Sequence, residues 1–428
     1  MLDLDLIRRE REAVAAALSK RLDSSEVDRS LSAIVDLDAR RRQLLQRIEE
    51  ERRKRKEASR AYAKAKRESS EPLPPPPDTK AVLLALESEL ENVGAELRQE
   101  MAGLPNMPAD DVVPGGKENN EVLRVWGEKP ALGDFIDHTV VAKEYGLVDF
   151  DRGTKLGGSG YWMYTGYGAR LEWALLNWFI DQHNAAGYTF VLPPHMLLES
   201  AGFAAGQFPK FSDDVYHIAN PVSDRPQFLL PTSETALLAA HQDEIFTEAE
   251  LPRRVFAYTP CYRREKAGTH SDERGTVRGH QFNKVELFQF TTPDGAAEAF
   301  ESMVDAAEAL VRGLGLHFRT SKLAAGDTSA TMRRTFDIEV WMPHANGYKE
   351  VSSVSWAGDY QARRANIRFR APQAKQTQFV HTLNGSALAT SRLMPAILEQ
   401  FQQEDGSVLV PEVLRDRVGT DRLVRPTR

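Results

Sequence analysis

RVFAYTPCYRREKAGTHSDERGTVRGHQFNKVELFQF, residues 254–290, is the stretch from which the fold can be read. Val255 to Glu265 alternates and is rich in aromatic and β-favouring residues, and His280 to Phe290 does the same. Two strands are therefore expected. Between them Lys266 to Gly279 holds three glycines and charges of both signs, too long for a tight hairpin and of the kind that carries function. If the strands are antiparallel, period-2 geometry puts Arg263 and Glu265 on one face of the first, and Phe282, Lys284 and Glu286 on one face of the second. A cation, carboxylates and a flat ring on one sheet surface suit an anionic, planar, amine-bearing molecule: Arg for phosphate, Phe for a base, carboxylates for amino groups. The alternative is the solvent-facing side of an ordinary hairpin, and alternation alone does not separate the two.

The 428 residues are enough for two or three domains, and 41% hydrophobic with 27% charged residues are globular values. The net charge of −7 excludes a uniformly basic nucleic-acid binder, so any polyanion contact is local. With one cysteine, Cys261, no intrachain disulfide or cysteine-rich zinc site can form. The start, MLDLDLIRRE, lacks a signal pattern, and no apolar run approaches a membrane span. A cytoplasmic protein is the expectation.

Residues 1–27 read as a short helical element ending near Asp23-Ser24-Ser25, followed by a long helix from about Asp28 to Glu68. Proline breaks the pattern at SSEPLPPPPD, residues 69–78. A second helix, about Thr79 to Met101, carries Leu83, Leu86, Leu90, Val93 and Leu97 at steps of 3 and 4, a seam that needs a partner helix. An antiparallel helical hairpin over 1–105 follows. From Arg40 to Arg67 it has 13 basic and 4 acidic residues, against 2 and 6 from Asp78 to Met101. A basic arm roughly 60 Å long on an acidic protein suits a large polyanion; a solvated coiled-coil face is the other reading. Prolines and glycines mark 106–129 as a linker. The remainder, 130–428, shows no βαβ rhythm, which favours an α+β domain on a mainly antiparallel sheet.

Within that domain, Leu171 to Asn184 is an amphipathic helix leading through Gly187 into a short strand stopped by Pro193-Pro194. Thr232-Ser233-Glu234 is a polar turn opening a helix, where helix capping is the alternative. In the strand pair 335–343 and 348–355, Glu350, Ser352 and Ser353 supply a carboxylate and hydroxyls that can help hold Mg²⁺ beside phosphate oxygens. After Asn384-Gly385 a helix carries Arg392, costly on its inner side unless paired with an anion. The phosphate loop GxxxxGK[ST], the dinucleotide fingerprint, HExxH and GxSxG are all missing.

In this order the segments resemble the seryl-tRNA synthetase family, class II aminoacyl-tRNA synthetases, over essentially the whole chain. The helix–strand–proline segment 171–194 resembles motif 1, TPCYRRE…RGHQFNKVELF resembles motif 2, and NGSALATSRLMPAILE resembles motif 3. EVSSVS, DYQARR and HTLNGS are family-like too. The resemblance implies a homodimer using ATP, Mg²⁺, L-serine and tRNA(Ser), with tRNA(Sec) as a second candidate acceptor. It implies that Arg263 bridges the ATP α-phosphate and the serine carboxylate and, with Arg392, carries catalysis. The ATP site it implies is Arg263, Arg264, Glu265, Arg278, Phe282, Glu350, Val351, Ser352, Ser353 and Arg392. Glu265 would accept from the adenine amino group, Phe282 would stack on the ring, and Glu350 and Ser353 would ligate Mg²⁺. The serine site would be Thr232, Ser233, Glu234, Arg263, Glu286 and Ser386. An amino-acid-activating relative that loads a carrier protein, and a catalytically silent RNA-binding paralogue, are the alternatives. Departures from the family pattern fall at Lys266, at His270 to Glu273, at Ala387 and at Thr390-Ser391.

Overall fold

The computed structural model describes residues 1–68, 79–131, 134–222, 224–265 and 275–426. The proline-rich break at 69–78 and the loop departures at Lys266 and His270 to Glu273 lie outside them. The chain forms two compact units, Leu2–Pro105 and Asn106–Arg428.

The first unit is helical: α1 (Leu4–Arg9), α2 (Arg11–Leu18), α3 (Ser24–Glu68) and α4 (Lys80–Gly103). The single short element expected before residue 28 is two helices. The long helix also starts four residues early, because the Asp23 carboxylate accepts from the Ser25 N–H at 2.8 Å and caps it. The seam packs as its spacing requires, with Leu83, Leu86 and Val93 buried against Leu44 and Ile48. Arg40 pairs with Glu89 and Arg52 with Glu87, both at 2.7 Å, so the two helices run in opposite directions. At 45 residues α3 is about 68 Å long.

The second unit is built on an eight-stranded sheet: β1 (Glu121–Trp126), β2 (Thr189–Val191), β3 (Arg253–Tyr262), β4 (Gln281–Thr291), β5 (Phe318–Lys322), β6 (Arg334–Met342), β7 (Gly347–Gly358) and β8 (His381–Ala389). Their order is β1-β5-β6-β7-β8-β4-β3-β2, antiparallel throughout except for β2 beside β3. Strand alternation sorts this sheet into two faces. Val285, Leu287, Ile338, Val340 and Leu383 meet three helices: α5 (Gly166–Ala185), α6 (Ala296–Gly313) and α7 (Thr390–Gln400). Their alternates Lys284, Glu286, Asn384 and Ser386 form the opposite floor, where polar groups gather.

Two expectations change. Residues 106–129 are no linker: β1 is an edge strand of the main sheet, paired with β5. Asn106 is buried, and its amide donates to the Thr331 and Ala357 carbonyls at 2.9 and 2.7 Å. Prolines and glycines mark a chain that turns often, and turning is not the same as being free. The first strand of the 254–290 pair also stops at Tyr262, so Arg263 and Glu265 lie past its end and alternation does not set their face. Arg263 keeps one more ladder bond, to the His280 carbonyl at 2.9 Å; Glu265 sits in the left-handed region at φ 38°.

Because Asn106 satisfies two buried carbonyls, Asn106→Ala should lower unfolding stability of the second unit by about 1–3 kcal/mol. The shift in denaturant midpoint measures it, and an unchanged midpoint would return 106–129 to the status of a tether.

Candidate active site

Strands β4, β7 and β8 and the turn after β3 floor a cavity of about 590 Å³, walled by residues around Gln207 to Val215 and Ser329 to Met332. A smaller hollow of about 90 Å³ adjoins it, lined by Phe282, Val351 and Arg392 among others; Arg263, Glu265, Arg278, Lys284, Glu350 and Ser386 line both.

At the deep end stands Glu286, opposite Ser386 across β4 and β8. One of its oxygens, Oε2, is heavily engaged. Lys284 Nζ lies 2.5 Å away, the Thr232 hydroxyl donates to it, and the Ser233 hydroxyl and Glu234 N–H approach at 3.3 and 3.4 Å. Lys284 also donates to Thr232 Oγ1 at 2.7 Å. Both ions are nearly buried, and such a pair persists only when its remaining valences are filled. Among the described residues no hydrogen bond reaches the other oxygen, Oε1, and Glu286 is one of the residues that line the cavity. An ionised carboxylate only accepts, so it asks the occupant for a donor.

Thr232 and Glu234 open a short helix, Ser233–Ala239, with Thr232 as its N-cap. The capping alternative is realised, since Thr232 Oγ1 accepts weakly from Glu234 N at 3.4 Å, while its proton goes to Glu286 beside the cavity. The Glu234 carboxylate is held by Gln361 Nε2 at 2.6 Å, and Gln361 in turn accepts from Thr382 at 2.7 Å. Burial, and then the charge of Glu286, push the Glu234 carboxyl up to about 7.

Arg263 sits between the two hollows, its guanidinium 5.2 Å from the Phe282 ring centre and its Nε donating to the Pro231 carbonyl at 3.3 Å. Arg278 donates to Glu265 at 2.7 Å. Arg392 contacts Glu350 twice, at its carbonyl (3.0 Å) and its carboxylate (3.2 Å). Glu350 and Ser353 both line the cavity although odd spacing should send them to opposite faces. A bulge resolves this: Ser352 pairs with Ile338 but Glu350 with Glu339, so Val351 is an extra residue. Behind Ser353, directly across the ladder, lies Asp337, buried and hydrogen-bonded to it; burial and the charge of Glu350 push the Asp337 carboxyl well up. These oxygen donors fit a hard cation that completes its shell with water and phosphate oxygens. Among the described residues no cluster of three or more His, Cys, Asp or Glu forms a closed cage.

Three of the expected site residues keep their side chains out of the cavities. Arg264 turns outward to the Asp213 carbonyl at 3.2 Å. Ser352 is buried and donates to the Ser386 carbonyl, and Ser233 is spent on Glu286. Sequence reasoning left Lys284, Asn384, Gln361 and Asp337 out of the site. Lys284 and Asn384 were within reach, since alternation puts them on the same faces as Glu286 and Ser386. Gln361 lies in the family-like segment DYQARR, though nothing local aimed its side chain at the site, and Asp337 and the wall at Gln207 and Phe211 carried no local signal.

The family model of the tRNA synthetase class II core domain (G, H, P, S and T) matches residues 216–401. With an antiparallel sheet and this site, the chain is a class II aminoacyl-tRNA synthetase. The model of the seryl-tRNA synthetase N-terminal domain matches residues 1–108. Serine–tRNA ligase 2 of Clostridium acetobutylicum is 50% identical over 99% of this chain and 100% of its own length, and serine–tRNA ligase of Nitratidesulfovibrio vulgaris is 43% identical over 98% of each. The crystal structure of seryl-tRNA synthetase from Pyrococcus horikoshii complexed with ATP matches with a TM-score of 0.89 at 31% identity, covering both chains fully. That of the cytoplasmic serine–tRNA ligase from Naegleria fowleri in complex with AMP scores 0.86 at 26% identity, over 100% of this chain and 99% of that one. The chain belongs to the seryl-tRNA synthetase family.

Glu234 binds its proton more tightly folded than unfolded, so the stability this proton contributes is full at and below the ordinary glutamate range, about 4.5, and is lost as pH rises through about 7. The melting temperature of Glu234→Gln should therefore fall less than that of the parent between pH 5 and 8. Parallel curves would remove the raised carboxyl from the site.

Proposed function

We propose that the cavity binds L-serine at its deep end and ATP across the adjoining hollow, with Arg263 between them. As a member of its family the chain is a serine–tRNA ligase, and the seryl group passes through an adenylate. A serine carboxylate oxygen attacks the α-phosphorus, the bond to the β-phosphate breaks and pyrophosphate leaves. The 3′-terminal adenosine hydroxyl of tRNA(Ser) then attacks the seryl carbonyl and AMP departs. No side-chain nucleophile is required. The work is positioning and neutralisation of phosphate charge.

The observation that carries this reading is Glu286, which lines the cavity opposite Ser386 with one oxygen held by Lys284 and Thr232 and no hydrogen bond to the other among the described residues. A serine hydroxyl donates to that oxygen. Alanine leaves it unpaired, which in comparable sites costs on the order of 10⁴–10⁵ in specificity. The serine ammonium meets Glu234 and Thr232. Arg263 takes the serine carboxylate and the α-phosphate, Phe282 stacks on adenine, and Arg278 and Arg392 take the outer phosphates. Arg278 then exchanges Glu265 for phosphate, freeing that carboxylate for the adenine amino group. Mg²⁺ on Glu350 and Ser353 would neutralise the phosphate oxygens. Arg264 and Ser352 take no side-chain part in this reading, being engaged elsewhere.

The arm α3–α4 presents Arg52, Arg55, Lys56 and Arg60 on one exposed stretch, which suits the tRNA backbone. tRNA(Sec) is the second acceptor to try. A homodimer is supported by the exposed apolar residues Trp173, Phe190, Leu192 and Met196 around edge strand β2 and helix α5. A cytoplasmic setting accords with the single buried cysteine.

Pyrophosphate exchange into ATP should depend on L-serine, and Arg263→Ala should reduce it by at least about 10³-fold, the scale of lost transition-state stabilisation at such sites. Exchange driven better by alanine, glycine or threonine would defeat the serine assignment. Removal of residues 1–105 should leave exchange intact and cut tRNA charging, in a protein that still sediments as a dimer. Full charging by that fragment would show the basic face to be merely solvated.

A further inference from the structure

Glu172 is a carboxylate on α5 that the reaction as described does not use. It is almost fully buried and points at the underside of the sheet, away from the cavity. One oxygen, Oε1, receives both the Asn283 amide at 2.8 Å and the Thr390 hydroxyl at 2.6 Å. The other, Oε2, is buried with no hydrogen-bond partner among the described residues. Burial drives the carboxyl up to about 7 against those two hydrogen bonds. The titratable groups facing it are the phenols of Tyr164 and Tyr258, both themselves pushed up by burial. Such a group is costly in an apolar layer, and a helix surface packed on a sheet could dispense with it.

Its two partners occupy particular places. Asn283 lies on β4 between Phe282 and Lys284, facing the helices while those two face the site. Thr390 is the first residue of α7, two before Arg392. The chain enters α7 through an irregularity: the β8–β4 register shifts between Ser386 and Ala389, and Leu388 there takes φ 74°. A branched side chain in the left-handed region costs about 1–2 kcal/mol and persists only where its surroundings over-determine it. Thr390 supplies part of that constraint, since its hydroxyl also lies 3.4 Å from the Asn283 carbonyl. The neighbouring Ser391 carbonyl is held by Thr276 at 2.7 Å. The departure from the family pattern at Thr390-Ser391 is thereby put to use.

We propose that Glu172 is a positioning residue for the ATP half of the site: through Asn283 and Thr390 it locks strand β4 to the start of α7, and so fixes Phe282 relative to Arg392 without touching either. This rests on the reading of Phe282 and Arg392 as ATP-binding residues. The serine end hangs on a different set of contacts on the opposite face of the sheet, Lys284 with Thr232 and Glu286, and Gln361 with Glu234.

The test is pyrophosphate exchange by the full-length enzyme, with ATP varied at saturating serine and then serine varied at saturating ATP. Thr390→Val removes the hydroxyl at nearly constant volume and is the primary variant; Glu172→Ala, Thr390→Ser and Phe282→Ala accompany it, each with a melting temperature. Thr390→Val and Glu172→Ala should raise KM for ATP about ten-fold, the equivalent of one hydrogen bond to a charged group, with KM for serine changed less than about two-fold. Thr390→Ser should restore the parent value. Equal rises in both KM values, or a lower melting temperature with both KM values unchanged, would make Glu172 a structural residue only and overturn the proposal. If Phe282→Ala leaves KM for ATP unmoved, the ATP reading itself fails and this inference falls with it; a normal response from Phe282→Ala confines any failure to Glu172.

Discussion

The contact on which the rest depends is the buried ion pair of Lys284 and Glu286, two residues apart on one face of β4. Neither charge could be held there alone, because each would face a desolvation penalty of several kcal/mol. Together they draw in the Thr232 and Ser233 hydroxyls and the Glu234 N–H, and so bring the turn 232–234 down onto the sheet. That convergence defines the deep end of the cavity. It leaves one carboxylate oxygen without a hydrogen bond among the described residues, the acceptor that the proposed reading assigns to the serine hydroxyl.

Two of the sheet's register shifts, on adjacent strands, bear on the site. The extra residue in β7 turns Glu350 and Ser353 to the same side, and the shifted register at the end of β8 delivers α7 with Arg392 toward Glu350. Regular strands would have been easier to build and would have placed half of these groups among the helices. Bulges recur beside sites for this reason: they re-aim a side chain without altering the rest of the ladder. Their cost is met on the far side of the sheet, where α5, α6 and α7 bury a continuous apolar face.

The site contains its own ion pairs. Arg278 rests on Glu265 and Arg392 on Glu350. Each arginine is thereby paired in a partly buried position, and on the proposed reading phosphate replaces a carboxylate instead of stripping water from a free guanidinium. Preorganisation of that kind lowers what binding must supply. The helical unit works by a plainer principle. Its leucine seam is satisfied by the facing helix, and the surplus positive charge is left on the outside, available to a polyanion.

Much of this was legible in the chain alone, where a rule is local. The leucine spacing of 83–97 determined a paired helix, and the alternation of 280–290 determined a half-polar strand. The order of the motif-like segments TPCYRRE, EVSSVS and NGSALATSR resembles that of the family, and a resemblance of that kind is carried by sequence alone. What the sequence could not decide was non-local. Residues 106–129 look like a tether until β1 is seen paired with β5, nearly two hundred positions away. Strict alternation misplaces Ser353, because a bulge is fixed by the partner strand and not by the bulged one. Glu172 reads as one more polar residue on an amphipathic helix. Only folding sets it against Asn283 and Thr390, since burial and hydrogen-bond partners belong to the packed layers and not to any stretch of chain.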